Sequence, residues 1–117
     1  MQEDRIIEWD DDGYPTEESL ERLRQAINDD DTKKAIKAFY AALKENHWPD
    51  WCGPEQIEKH GELMDVWGYH TGGWSGNESI IEVLQDSIWF HLFLQRYDRG
   101  GHYYFDPPSR WLREGDS

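Results

Sequence analysis

The feature that most constrains this fold is that its apolar material is scarce but large. Only 37% of the 117 residues are hydrophobic, yet 15% are aromatic, with seven Trp, six Tyr and four Phe. Each ring buries much area, so a modest apolar count can still close a core. Disordered acidic chains are poor in aromatics; this one is rich in them and is expected to fold, as one domain of ordinary size over residues 1–117.

Charge is distributed unevenly. The first 31 residues hold 12 Asp or Glu and 3 Arg, a net of −9, which leaves −4 of the formal −13 for the other 86. A one-sided field of this kind steers a small domain toward basic partners. It argues against direct nucleic-acid binding, which needs Lys and Arg to neutralise phosphates. Acidity for solubility alone is the competing explanation.

Cys52 stands alone, so an internal disulfide is impossible, which fits a reducing cytosol. The opening MQEDRIIEWDDDG is acidic and lacks the apolar stretch of a signal peptide. No apolar run approaches the roughly 18 residues of a membrane span. A cytoplasmic protein with no membrane contact is therefore expected.

Along the chain, Arg5–Trp9 is a candidate edge strand, ended by the turn-forming Asp10-Asp11-Asp12-Gly13-Tyr14-Pro15. Thr16 is placed to cap a helix from about Glu17 to Asn28, with Glu17 and Glu18 favourable in its first turn. Asp29, Asp30 and Asp31 precede a second helix, whose Ala35, Ile36, Phe39, Tyr40, Ala42 and Leu43 share one side. It should end near Asn46, before a Trp48–Pro54 loop held non-helical by two prolines. Glu62–Thr71 alternates as a strand. Ser75 and Glu78 have capping-box spacing, so one long central helix is expected from Gly76 through Leu94. Arg99-Gly100-Gly101 then reverses the chain into a strand at His102–Asp106, with an acidic tail frayed from about residue 112. The expected architecture is α+β: three helices on a small antiparallel sheet of two or three strands.

Two segments are candidate sites. The acidic one comprises Asp10, Asp11, Asp12, Glu17, Glu18, Asp29, Asp30 and Asp31, suited to a basic protein partner if these residues share a face. The other is the glycine-rich connection holding Thr71, Gly72, Gly73, Trp74, Ser75 and Asn77. There, backbone N–H groups at a helix start can attract an anion. Arg96, Arg99 and His102 follow the long helix, and His102 would converge with His70 if their strands pair. Arginines with a histidine suit phosphate or carboxylate, although they equally suit a helix C-terminus. Gly76 is followed by Asn77, not by the Lys of a phosphate-binding loop, and the chain cannot supply a dinucleotide fold. Glu78 is free to act as a base only if Ser75 does not engage it.

Other chemistry fails on spacing. Aligning Asp10, Asp12 and Gly13 with positions 3, 5 and 6 of a calcium loop puts Ser19 twelfth, where a bidentate Glu is required, and Pro15 eighth. His47, Cys52 and His60 match no zinc pattern, and nothing local marks Cys52 as a stabilised thiolate. No metal or cofactor is expected. Trp48, Trp51, Trp67 and Trp89 are expected in the core; Trp74, in its glycine loop, is the aromatic expected to meet a partner.

The segment His70-Thr71-Gly72-Gly73-Trp74-Ser75-Gly76-Asn77-Glu78, with Arg99-Gly100-Gly101-His102-Tyr103 and the opening Glu8–Glu17, resembles small uncharacterised proteins of bacteria and their phages. The resemblance implies a compact α+β domain and no activity. The function expected from these readings is that of a non-enzymatic acidic protein inhibiting a basic, nucleic-acid-binding surface on a nuclease, defence complex or toxin. The alternative is a small anion-binding domain or enzyme built on the glycine loop, Arg96, Arg99 and His102.

Overall fold

Thr16 Oγ1 accepts from the Ser19 amide at 3.2 Å and starts helix α1, Glu17–Ile27. Asp31 caps α2, Thr32–Leu43, accepting from the Lys34 amide at 3.2 Å. The computed structural model describes residues 6–112, and over that range the chain is α+β. The remaining elements are β1 (Cys52–Lys59), β2 (Glu62–His70), α3 (Ser75–Leu84), α4 (Ile88–Phe93), β3 (Leu94–Asp98), β4 (His102–Phe105) and the single turn α5 (Pro108–Trp111). The strands form one antiparallel sheet in the order β1-β2-β4-β3.

The main core lies between the helices and one sheet face. Phe39 of α2 meets Phe93 and Phe105 edge-on, each with ring centroids 5.7 Å apart. Alternation along β2 sends Trp67 and Tyr69 to this side: Trp67 Nε1 donates to Leu43 O at 3.0 Å, and Tyr69 OH to Glu45 O at 2.7 Å. Met64, Val66, Gly68 and His70 occupy the opposite face. There Ile57, Val66 and Tyr104 form a second, smaller cluster to which no helix contributes. Lys59, on one edge strand, donates to Gln95 Oε1 on the other at 3.0 Å, so the long β1–β2 hairpin curls over that face.

Several expectations change. Among the described residues there are five α-helices, three of them longer than two turns, where three helices were expected, and four strands where two or three were expected. β1 is a strand despite its polar sequence, because every residue pairs with β2, from Cys52 with Tyr69 to Lys59 with Glu62. The expected long helix is interrupted at the exposed Gln85 and Asp86; Ser87 Oγ then accepts from the Trp89 amide at 3.0 Å and starts α4. Leu94–Asp98, read as the end of that helix, leaves it to pair with β4. Ser75 is the first residue of α3 and not its cap, a place taken by Trp74. Ile6–Glu8 are not in a strand; Trp9 makes an isolated bridge with Pro15 across the acidic turn. Arg5 and the tail beyond Leu112 lie outside the described residues.

Candidate functional site

Asp10 fixes its own loop. Its Oδ1 accepts from the amides of Asp12 and Tyr14, both at 2.9 Å, while its own amide donates to Tyr14 O at 2.7 Å. Asp10, Asp11 and Asp12 remain exposed along this turn. Gly13 closes it at φ 85°, where a Cβ would lie 2.6 Å from His47 Cε1; the backbone must come this close to the imidazole. Between the Asp10–Asp12 turn and Asn46–Pro49 runs a groove of 440 Å³, and among the described residues no Lys or Arg lines it.

The opposite wall is held by a buried amide. Asn77 is fully buried; its Oδ1 accepts from the His47 amide at 2.8 Å, and its Nδ2 donates to Asn46 Oδ1 and to Thr71 O, both at 3.0 Å. Asn46 in turn donates to His70 O at 2.9 Å and accepts from the Trp48 amide at 2.8 Å. These bonds tie the chain after α2 to the start of α3 and the end of β2.

From His47, which lines the groove, a run of ring contacts leads away. Trp74 Nε1 donates to Gly13 O at 2.6 Å, and its indole lies between Tyr14 and His47, with centroids 5.0 and 4.9 Å away. His47 meets Trp48 edge-on at 5.0 Å, and Trp48 meets Trp51 at 5.1 Å. Both outer indoles rest on Gly72, where a Cβ would collide with each. The expectation is thus reversed for Trp48, Trp51 and Trp74, while Trp67 and Trp89 pack against the core as expected. Trp74 is half-buried and anchors the acidic turn, whereas Trp48 and Trp51, expected in the core, are 37% and 43% exposed. They follow the end of α2, Trp48 just before and Trp51 at the end of a short turn over Pro49–Trp51.

The acidic residues divide into two groups. Glu17 and Glu18 open α1 next to the Asp10–Asp12 turn, and Glu17 also lines a 250 Å³ groove between α1 and α3 with Glu21 and Glu82. Asp29, Asp30 and Asp31 lie at the start of α2, whose 12 residues separate them from the groove at its other end by about 18 Å. Asp31 is occupied as a cap, and Asp29 Oδ1 accepts from the Asp31 amide at 2.7 Å.

The glycine connection is brought beside the β3–β4 turn, the Thr71 amide donating to Gly101 O at 3.0 Å. Its polar groups are engaged internally. Thr71 Oγ1 receives the Gly73 amide at 3.3 Å and lies 3.4 Å from Glu78 Oε2; Trp74 and Asn77 are committed as described. Gly72 and Ser75 are exposed. Arg96 forms a two-pronged ion pair with Asp98 at 3.2 and 2.9 Å and lies 5.0 Å above the Tyr104 ring. Those bonds to Asp98 raise its pKa. Arg99 is exposed in the turn.

His70 and His102 do converge, directly opposite each other on β2 and β4, with their Nδ1 atoms 2.9 Å apart. Glu55, which the sequence reading did not single out, completes a chain across three strands: its Oε2 lies 2.5 Å from His70 Nε2. Gly68 makes room, since a Cβ there would overlap the Glu55 carboxylate. In the tautomer with both rings neutral and Glu55 accepting from His70 Nε2–H, His102 Nδ1–H donates to His70 Nδ1 and His102 Nε2 keeps a lone pair.

Cys52 is unsuited to nucleophilic chemistry: burial, and then the nearby Glu45 carboxylate, push its thiol up to about 11. Among the described residues, no three His, Cys, Asp or Glu side chains are grouped to hold a metal ion, and no helix is long and apolar enough to cross a membrane. Comparison with family models, curated proteins and solved structures finds no match.

Proposed function

We propose that this is a non-enzymatic acidic interaction protein that occupies a basic, nucleic-acid-binding surface of a protein partner, as an inhibitor of a nuclease, a defence complex or a toxin would. The observation that carries the reading is the Asp10–Asp12 turn: three exposed carboxylates on a hydrogen-bonded loop beside a groove that no described Lys or Arg lines. A loop ordered before binding loses little entropy on docking, and its charge raises the rate of encounter. The contact surface is Asp10, Asp11 and Asp12 with Glu17 and Glu18. Asp29–Asp31, about 18 Å distant, exceed the roughly 8 Å screening length of physiological salt and add little to contact at the groove.

The test is affinity capture from host lysate at low and high salt, using the wild type and the Asp10→Asn/Asp11→Asn/Asp12→Asn variant. The wild type should retain a basic nucleic-acid-binding protein at low salt and release it at high salt, and the variant should retain none. A blank at both salts contradicts the proposal.

One observation favours a second reading, a small anion-binding or enzymatic domain: the Glu55–His70–His102 chain ends on a ring nitrogen two residues from Gly100 and three from Arg99. Thermal stabilisation by a phosphorylated metabolite that disappears in Arg99→Ala and His102→Asn would support it. No stabilisation by any such anion would remove it.

A further inference from the structure

We propose that the Glu55–His70–His102 chain is a pH-operated latch, which holds the β3–β4 turn against the end of β2 near neutral pH and releases it on mild acidification. The inference goes beyond the docking reading and does not depend on what the acidic turn binds. It stands on a proton count. The facing Nδ1 atoms, 2.9 Å apart, can share only one proton, since a hydrogen on each leaves neither able to accept. Glu55 fixes the other end, its Oε2 accepting from His70 Nε2 at 2.5 Å.

With both rings neutral the chain carries only the charge of Glu55. One added proton fits at His102 Nε2, which keeps both bonds and leaves the chain neutral. A second has no place among these bonds. A carboxyl ordinarily titrates well below a histidine, so this proton goes to the rings. It puts a hydrogen on both Nδ1 atoms and two positive rings in contact, one of them, His70, only 19% exposed. Around the pair, Asp98 stands opposite His102 on β3 but is already bonded twice by Arg96. Tyr104, with its ring centroid 5.6 Å from His70, is raised by burial and then by Glu55, and stays neutral. Glu78 of α3 lies 3.4 Å from Thr71 Oγ1, one residue beyond His70, and Arg99 in the turn adds positive charge. His70 and His102 are the last register pair of β2 with β4, so the ladder can open there without unfolding the core. The adjoining bond, from the Thr71 amide to Gly101 O at 3.0 Å, reports that opening.

The experiment is native-state hydrogen exchange of the Thr71 amide in the full chain between pH 6 and 5, with nitrogen NMR of the imidazoles. The open state binds one more proton, so the closed state weakens as pH falls through the histidine range. Corrected for the intrinsic exchange rate, the opening constant should rise about tenfold per pH unit, the signature of one proton taken up. His70→Gln and His102→Gln should each flatten that slope, and the double variant should match either. The imidazole spectra need no variant: both wild-type rings should be imidazolium only where Thr71 has lost its protection. A wild-type opening constant that stays flat across this range overturns the proposal. So does a slope that survives either substitution, or two imidazolium rings beside a protected Thr71.

Discussion

Replacing Asn77 tests whether the groove's wall depends on one buried amide. Asn77→Ala removes three hydrogen bonds of 2.8 to 3.0 Å, to the His47 amide, Asn46 Oδ1 and Thr71 O. At about 1 kcal/mol net for each, the loss is about 3 kcal/mol, a large part of a typical domain's stability. For a chain of this size that corresponds to a fall in melting temperature of about 10 °C. Asn77→Asp is the sharper variant. It keeps an acceptor for the His47 amide but places a carboxylate oxygen against two other acceptors in a fully buried position, so at neutral pH it should destabilise more than alanine does. Urea and thermal denaturation followed by circular dichroism measure both. An alanine variant within about 0.5 kcal/mol of the wild type would refute the reasoning. So would an aspartate variant more stable than the alanine one.

Gly68→Ala should displace the Glu55 carboxylate from His70 at a cost of about 1 kcal/mol, since both partners are partly exposed. Combined with Glu55→Gln it should cost little more than either change alone, and additive losses in denaturation would contradict the contact. Gly72→Ala should lower the melting temperature and alter tryptophan fluorescence, because φ 63° disfavours a side chain and the new Cβ meets both outer indoles; unchanged emission would count against that packing. The thiol of Cys52, raised to about 11, should react with Ellman's reagent at mildly alkaline pH about 100-fold more slowly than the unfolded chain does. The folded state favours the neutral thiol, so this group's contribution to stability is present below its unfolded pKa and is lost as pH rises toward 11. Equal rates in native and urea-unfolded protein would contradict the burial.

How much the sequence reveals depends on where each element's information resides. α1 and α2 are legible because caps and periodicity coincide: Thr16 and Asp31 cap, and buried residues recur at helical spacing. β2 is legible through alternation. β1 is not, because only Ile57 of its eight residues is buried and its partner specifies it more than its own sequence does. Ile80 to Leu94 reads as one apolar helix, and a short polar break at Gln85–Ser87 is easily passed over when both flanks are apolar. Leu94–Asp98 becomes a strand through pairing with β4, a tertiary contact with no local signature.

For the candidate site, the convergence of His70 with His102 follows from strand pairing and is readable, whereas Glu55 depends on the unseen β1. A glycine within the β2 pattern was the available sign that something approaches at Gly68. The exposure of Trp48 and Trp51 had no sequence signal, since a tryptophan near a turn is compatible with either environment.

The most direct measurement of the central claim is competition. The basic protein retained in capture is loaded with fluorescently labelled nucleic acid, and the acidic protein is titrated in while anisotropy is followed. The account predicts displacement at low salt, weakened by added salt and lost in the Asp10→Asn/Asp11→Asn/Asp12→Asn variant, because carboxylates and phosphates seek the same surface. A ternary complex with the nucleic acid still bound would contradict it.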